Sequence, residues 1–180
     1  MLETERLIFL PWREEDAEEL FRYASDPRVG PPAGWPPHKS AEESRNVIRT
    51  VLSKPETYAL ILKETGEYIG CIALKTGDAT DVAQGEREAE LGYWLAPDYW
   101  GQGLMPEAVR EIQRRAFGEL GMETLWCAYY EGNDKSRRVQ EKCGFRFHHF
   151  SENVFVPLMN EYRNGYVNRL TRNQWEKENI

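Results

Sequence analysis

Between Glu88 and Gly121 the chain passes from a strand pattern through a glycine corner into a helix pattern, and this succession limits the fold more than any other stretch. "EAELGYWLA" (Glu88–Ala96) reads as a strand that stops at Pro97. In "YWGQGLMPEAV" (Tyr99–Val109), Gly101 and Gly103 open positive φ to the backbone and let a ligand approach it closely. Pro106 suits a first helical turn, where its missing N–H is no loss. Leu104, Ala108, Ile112, Ala116 and Leu120 then recur every four residues, which predicts a helix to about Gly121. A helix that starts after a strand presents unpaired N–H groups and about half a positive charge, so the corner reads as an anion site.

The other elements fall around this unit. Thr4–Leu10 reads as a strand and Glu14–Tyr23 as an amphipathic helix carrying Ala17, Leu20 and Phe21 on one side, with Ala24 following. "VGPPAGWPPHKS" holds too much proline for a regular element, and Ser40 with Glu43 marks the start of a second helix running to about Leu52. "TYALILK" and "EYIGCIALK" read as a hairpin, and "TGDATDVAQGERE" as an exposed loop. After the long helix come the strand "TLWCAYY", a short helix over "NDKSRRVQEKCG" capped by Asn133 and ended at Gly144, and the strands "FRFHHF" and "GYVNRLT". Thr171 with Gln174 caps a last turn. The order β-α-α-β-β-β-α-β-α-β-β predicts an α/β (α+β) domain with a mixed, mostly antiparallel twisted sheet of about six to seven strands and about four helices.

Composition sets outer limits. With 180 residues, 41% hydrophobic and 29% charged, residues 1–180 fit a single globular domain. A formal charge of −7 opposes a nucleic-acid partner, since that affinity rests on clustered Lys and Arg, and favours an amine-bearing one. No run approaches the roughly 20 apolar residues of a membrane span, and "MLETERLIFL" begins acidic, so the expected location is cytoplasmic. Cys71, Cys127 and Cys143 stand apart in apolar runs without C-x-x-C spacing and read as buried hydrophobes, and no metal is expected.

Two phosphate loops fail against the glycine corner. The dinucleotide pattern G-x-G-x-x-G meets Pro106 in its third glycine slot, and the Gly-Lys-Ser/Thr of a Walker loop is absent. "ELGYWLAPDYWGQGLMPEAV" with "NDKSRRVQEKCGF" instead resembles the GNAT superfamily of acetyl-CoA-dependent N-acetyltransferases, in particular its RimJ/RimL-like branch of ribosomal-protein N-terminal acetyltransferases. The opening "ETERLIFLPWREEDAEEL" and the closing "GYVNRLTRNQW" are similar to that branch too, so the resemblance covers essentially the whole chain. The superfamily signature Q/R-x-x-G-x-G/A is departed from at two slots, by Trp100 and Met105.

The resemblance implies acetyl-CoA as co-substrate, its pyrophosphate held by amides of Gly101, Gln102, Gly103, Leu104 and Met105. Its pantetheine arm pairs with the strand edge at Trp94, Leu95 and Ala96 and is held by Asn133. It also implies Ser136 as the general acid that donates to the cofactor sulfur. For the base, Glu88 and Glu90 alternate on one strand face, and Glu90 is placed to take a proton directly or through water. Trp35, presented by stiff prolines, and Glu88 are the candidates for acceptor binding. The expected function is acetyl transfer to a primary amine, such as a protein N-terminal α-amino group. A small amine (polyamine, amino acid analogue or aminoglycoside) and a non-catalytic acyl-CoA-binding sensor module are the alternatives, and members of this branch occur as monomers or homodimers.

Overall fold

Thr4 turns the chain before the first long strand begins. Its amide donates to the Leu7 carbonyl at 2.9 Å, and its hydroxyl accepts from the Leu7 amide at 3.1 Å. The strand expected from Thr4 therefore starts at Leu7 as β2 (Leu7–Pro11), with a two-residue β1 (Leu2–Glu3) folded back on it. The computed structural model describes residues 2–80 and 82–178, which fall into two compact units.

One unit holds the chain up to Ala73, with Tyr93–Leu104 and Pro157–Asn160. Here β1, β2, β3 (Thr57–Leu62) and β4 (Tyr68–Lys75) lie side by side and antiparallel, with Leu7 opposite Leu62 and Thr57 opposite Ala73. The amphipathic α1 (Ala17–Ala24) and the capped α3 (Ala41–Val47), which runs on as a π turn over Ile48–Leu52, bury Leu20, Ala24 and Ile48 with Trp12, Ala59, Ile61 and Cys71 of the sheet. Ser40 caps α3 as expected, its Oγ accepting from the Glu43 amide at 3.1 Å, but the Glu43 carboxylate reaches the Lys39 amide instead of that of Ser40. The proline-rich stretch was expected to be irregular, yet Gly30–Ala33 forms a one-turn α2. Pro31 and Pro32 occupy its first turn, where an amide N–H has no intrahelical partner to lose.

The second unit holds Leu74–Gly92, Met105–Val156 and the chain from Glu161. The helix predicted from the four-residue repeat is α4 (Leu104–Arg114), prolonged by a π turn over Arg115–Glu119. It returns the chain to lay β6 (Thr124–Tyr130) parallel to β5 (Glu88–Leu95), with Glu88 opposite Thr124 and Glu90 opposite Trp126. β8 (Glu161–Thr171) lies between β6 and the outer β7 (Arg146–Val156), and α5 (Asp134–Lys142) and α6 (Arg172–Glu178) complete the unit. "FRFHHF" underestimates β7 because the polar Ser151-Glu152-Asn153 interrupts its apolar pattern, while the ladder to β8 resumes at Val154 opposite Arg163.

Eight strands and six helices thus stand among the described residues, against about six to seven and four expected. The additions are short elements that local turn chemistry creates. The loop after β4 holds a 3₁₀ turn over Gly77–Ala79 and buries Ala83; Asp81 of that segment lies outside the described residues. All three cysteines are buried, and no helix among the described residues is long and apolar enough to cross a membrane.

Phe117 is fully buried, with its ring 5.4 Å from that of Trp175 on α6. Phe117→Ala is expected to destabilise the protein by about 3–5 kcal/mol, read as a lower midpoint in urea unfolding.

Candidate active site

At the end of β5 in the first unit, the Ala96 amide donates to the Ile69 carbonyl at 2.8 Å, and a 3₁₀ turn over Pro97–Tyr99 leads into the glycine corner. Three side-chain bonds hold the corner by its carbonyls. Trp100 Nε1 donates to the Leu95 carbonyl at 2.8 Å, Arg6 to that of Gln102 at 3.0 Å, and Gln102 Nε2 to that of Asp98 at 3.1 Å. The tryptophan that departs from the superfamily signature is thus a strut between strand end and corner. Gly101 and Gly103 have φ of 76° and 77°. A Cβ on Gly101 would meet no atom within 4 Å, so its conformation demands glycine and crowding does not. Among the described residues no backbone carbonyl accepts from the amides of Gly101, Gln102 or Gly103. Left-handed glycines that alternate with ordinary residues turn successive N–H groups to one side, and α4 begins directly after them, where the dipole favours negative charge. Leu104 and Met105 are buried, so their side chains anchor the first turn while their backbone begins the helix.

The same unit brings Trp35 against Trp94, with ring centroids 6.4 Å apart in edge-to-face contact. Trp35 also lies 5.4 Å from His38 and packs on the core, and a Cβ on Gly30 would collide with its indole. Trp35 is therefore held from three sides, and Trp94, Leu95 and Ala96 lead from its neighbourhood to the corner. His38 Nδ1 is 2.7 Å from Ser44 Oγ, and burial pushes the imidazole below its ordinary pKa, against an opposing pull from Glu43.

In the second unit Glu88 and Glu90 face the same way on β5, and both are already engaged. The Glu90 carboxylate, 15% exposed, accepts from Thr80 Oγ1 at 2.7 Å and from Lys75 Nζ at 3.3 Å. Glu88 accepts from Trp126 Nε1 at 2.8 Å and from the Gln84 amide at 3.3 Å. Asn133 caps α5, its Oδ1 accepting from the Ser136 amide at 3.2 Å, and Ser136 is half-buried one turn in. Sequence reasoning missed the partners of these residues: Lys75, Thr80, Trp126, and Gln140, whose Nε2 donates to Ser136 Oγ at 3.1 Å. Lys75, Thr80 and Trp126 have no spacing signal, since pairing between strands and loop brings them in. Gln140 had one, because it lies four residues after Ser136 and so on its helix face.

A family model described as Acetyltransferase (GNAT) domain matches residues 6–146. The chain is similar to the uncharacterized N-acetyltransferase YoaA of Bacillus subtilis, 28% identical over 170 residues that cover 92% of this chain and 90% of that protein. It is also similar to FsC-acetyl coenzyme A-N(2)-transacetylase of Aspergillus fumigatus, 28% identical over 149 residues, covering 79% of this chain and 63% of that one. In structure it resembles a GNAT-family acetyltransferase from Bacillus anthracis with a TM-score of 0.83 at 23% identity, covering 96% of this chain and 98% of the other.

The depressed pKa of His38 has a thermodynamic consequence. The unfolded imidazole takes up its proton near pH 6.5 while the folded one resists until lower pH, so the unfolded state binds more protons in that window. Stability is expected to be fully present above pH 6.5 and to fall as pH drops below it, and His38→Gln is expected to flatten that part of a melting-temperature against pH curve.

Proposed function

The chain belongs to the GNAT acetyltransferase family and is an N-acetyltransferase, and on that premise we propose that residues 1–180 act as one catalytic domain that acetylates the α-amino group at a protein N-terminus, as the RimJ/RimL-like branch its motifs resemble does. The observation that carries this reading is the engagement of Glu90 with Lys75 and Thr80. That carboxylate already holds a cation and a hydroxyl, so taking a proton directly means displacing one of them. At pH 7 an α-amine of pKa about 7.8 costs roughly 1 kcal/mol to deprotonate and asks little of the enzyme, whereas a lysine-like amine near 10.4 costs roughly 4.6 kcal/mol.

The roles follow residue by residue. The amides of Gly101–Gly103, from which no backbone carbonyl accepts among the described residues, fit a diphosphate with those of Leu104 and Met105 at the start of α4, and hold that of acetyl-CoA. The edge at Trp94, Leu95 and Ala96 pairs with the amides of the pantetheine arm as an added strand would, and Asn133 supports that arm. The acetyl thioester supplies an already activated acyl group. The chain positions it, and an N–H near Leu95 polarises its carbonyl as an oxyanion-hole donor does. Ser136 donates to the departing sulfur. Glu90 receives the acceptor's proton through water, while Glu88 and Trp35 border the acceptor.

A second reading, a small-molecule amine as acceptor, is favoured by the Aspergillus fumigatus relative, whose name specifies transfer to an N(2) position. A free-thiol release assay against peptides with varied N-termini and a panel of small amines separates the two. Turnover with unblocked peptides that disappears when their N-termini are formylated is the expected result; turnover confined to small amines would reverse it. Acetyl-CoA at about a hundred times its dissociation constant is expected to stabilise the protein by about 2.7 kcal/mol. Unchanged melting at millimolar acetyl-CoA would remove the corner as its site. Ser136→Ala is expected to lower kcat more than it raises the KM for acetyl-CoA.

A further inference from the structure

Arg6 stands where the chain leaves the Thr4 turn for β2, and its backbone carbonyl accepts from the Lys63 amide, just past β3, at 2.9 Å. Its side chain crosses to the glycine corner within the first unit, where Nη1 donates to the Gln102 carbonyl at 3.0 Å. Nη2 lies 3.6 Å from where a Cβ on Gly103 would stand, so the guanidinium covers the Gln102–Gly103 peptide from one side. Gln102 is also held by its own side chain, whose Nε2 donates to the Asp98 carbonyl at 3.1 Å. A trans peptide is planar, with its C=O and N–H pointing in opposite directions. The carbonyl that Arg6 draws toward itself therefore sends the Gly103 N–H away from Arg6. No backbone carbonyl among the described residues accepts from that N–H.

Without that hold, little keeps the peptide from turning over. Gly101 with φ of 76° and Gly103 with φ of 77° flank Gln102, and glycine gives the backbone on either side its widest freedom. A flip exchanges the two sides of the peptide: a carbonyl oxygen then stands where the N–H was, with its partial negative charge toward a bound anion. We propose that Arg6 is a positioning residue of the acetyl-CoA site, which by holding the Gln102 carbonyl sets the Gly103 N–H toward the diphosphate. This rests on the reading of the corner given above. The hold raises the share of molecules whose corner is ready to bind, and apparent affinity rises with that share. Arg6 acts on the co-substrate through the peptide and needs no contact with a phosphate to do so. Ninety-six residues separate it from Gln102, so only the folding of the first unit supplies the bond.

The test compares Arg6→Met with the unsubstituted protein, both checked for folding by their melting curves. Calorimetric titration with coenzyme A is expected to give a dissociation constant about tenfold higher in Arg6→Met, the flipped peptide then being the majority form. For acetyl-pantetheine, a thioester with the same arm and no diphosphate, kcat/KM is expected to stay within about twofold. The ratio of the two coenzyme A dissociation constants is expected to be the same at low and at high salt, because a hydrogen bond to a peptide carbonyl is not a contact between two ions. Unchanged affinity for coenzyme A, or an equal loss with acetyl-pantetheine, would make Arg6 a structural prop and overturn the inference. A loss that fades as salt rises would make it an ion-pair partner of the phosphates and overturn the positioning role. Failure of the unsubstituted protein to bind coenzyme A more tightly than pantetheine would sink the corner as the diphosphate site, an outcome distinct from these. Should Arg6→Met not fold, Arg6→Lys takes its place. An ammonium donates from a single point and lacks the second nitrogen beside Gly103, so a loss of about threefold in coenzyme A affinity is expected, with acetyl-pantetheine unaffected; full affinity there would overturn the inference.

Discussion

Among the described residues no backbone carbonyl accepts from the three successive amides at Gly101–Gly103, and a buried donor of that kind has to be met by a side chain, water or a ligand. Helix starts always leave amides unpaired, but most are met by a capping side chain. Here Arg6 takes up the Gln102 carbonyl, Trp100 and Gln102 bond the Leu95 and Asp98 carbonyls just before the corner, and Gly101 and Gly103 both turn left-handed. A helix start carries partial positive charge from the backbone itself, whatever the net charge of the chain, here −7 over 180 residues.

In the second unit the candidate side chains are each already engaged. Glu90 is tied to Lys75 and Thr80, and Glu88 to Trp126. Ser136 accepts from Gln140, which also bonds the Ala128 carbonyl. Aromatic packing holds Trp35 between His38 and Trp94 against the core of the first unit.

Much of the fold was legible because its signals are local. The repeat from Leu104 to Leu120 specified α4, Ser40 and Asn133 marked the starts of α3 and α5, and Thr171 with Gln174 marked α6. The misreadings were local as well. Thr4 captured the Leu7 amide and delayed β2, two prolines fitted a first turn and made α2, and a polar run hid the second half of β7. In each case a local backbone constraint outweighed what composition suggested.

By itself the sequence determined the strand, the glycine corner and the helix after it, because φ > 0 and a proline in a first turn are properties of single residues and their neighbours. It also determined which side chains were available for proton transfer. Only the tertiary structure decided what those side chains are bonded to. Lys75 and Thr80 lie fifteen and ten residues from Glu90, Asn168 lies twenty-eight from Gln140, and no periodicity links either set. Tertiary packing of strand, loop and helix brings them together, and hydrogen-bond direction exists only once a carbonyl such as that of Ala128 is fixed opposite an amide.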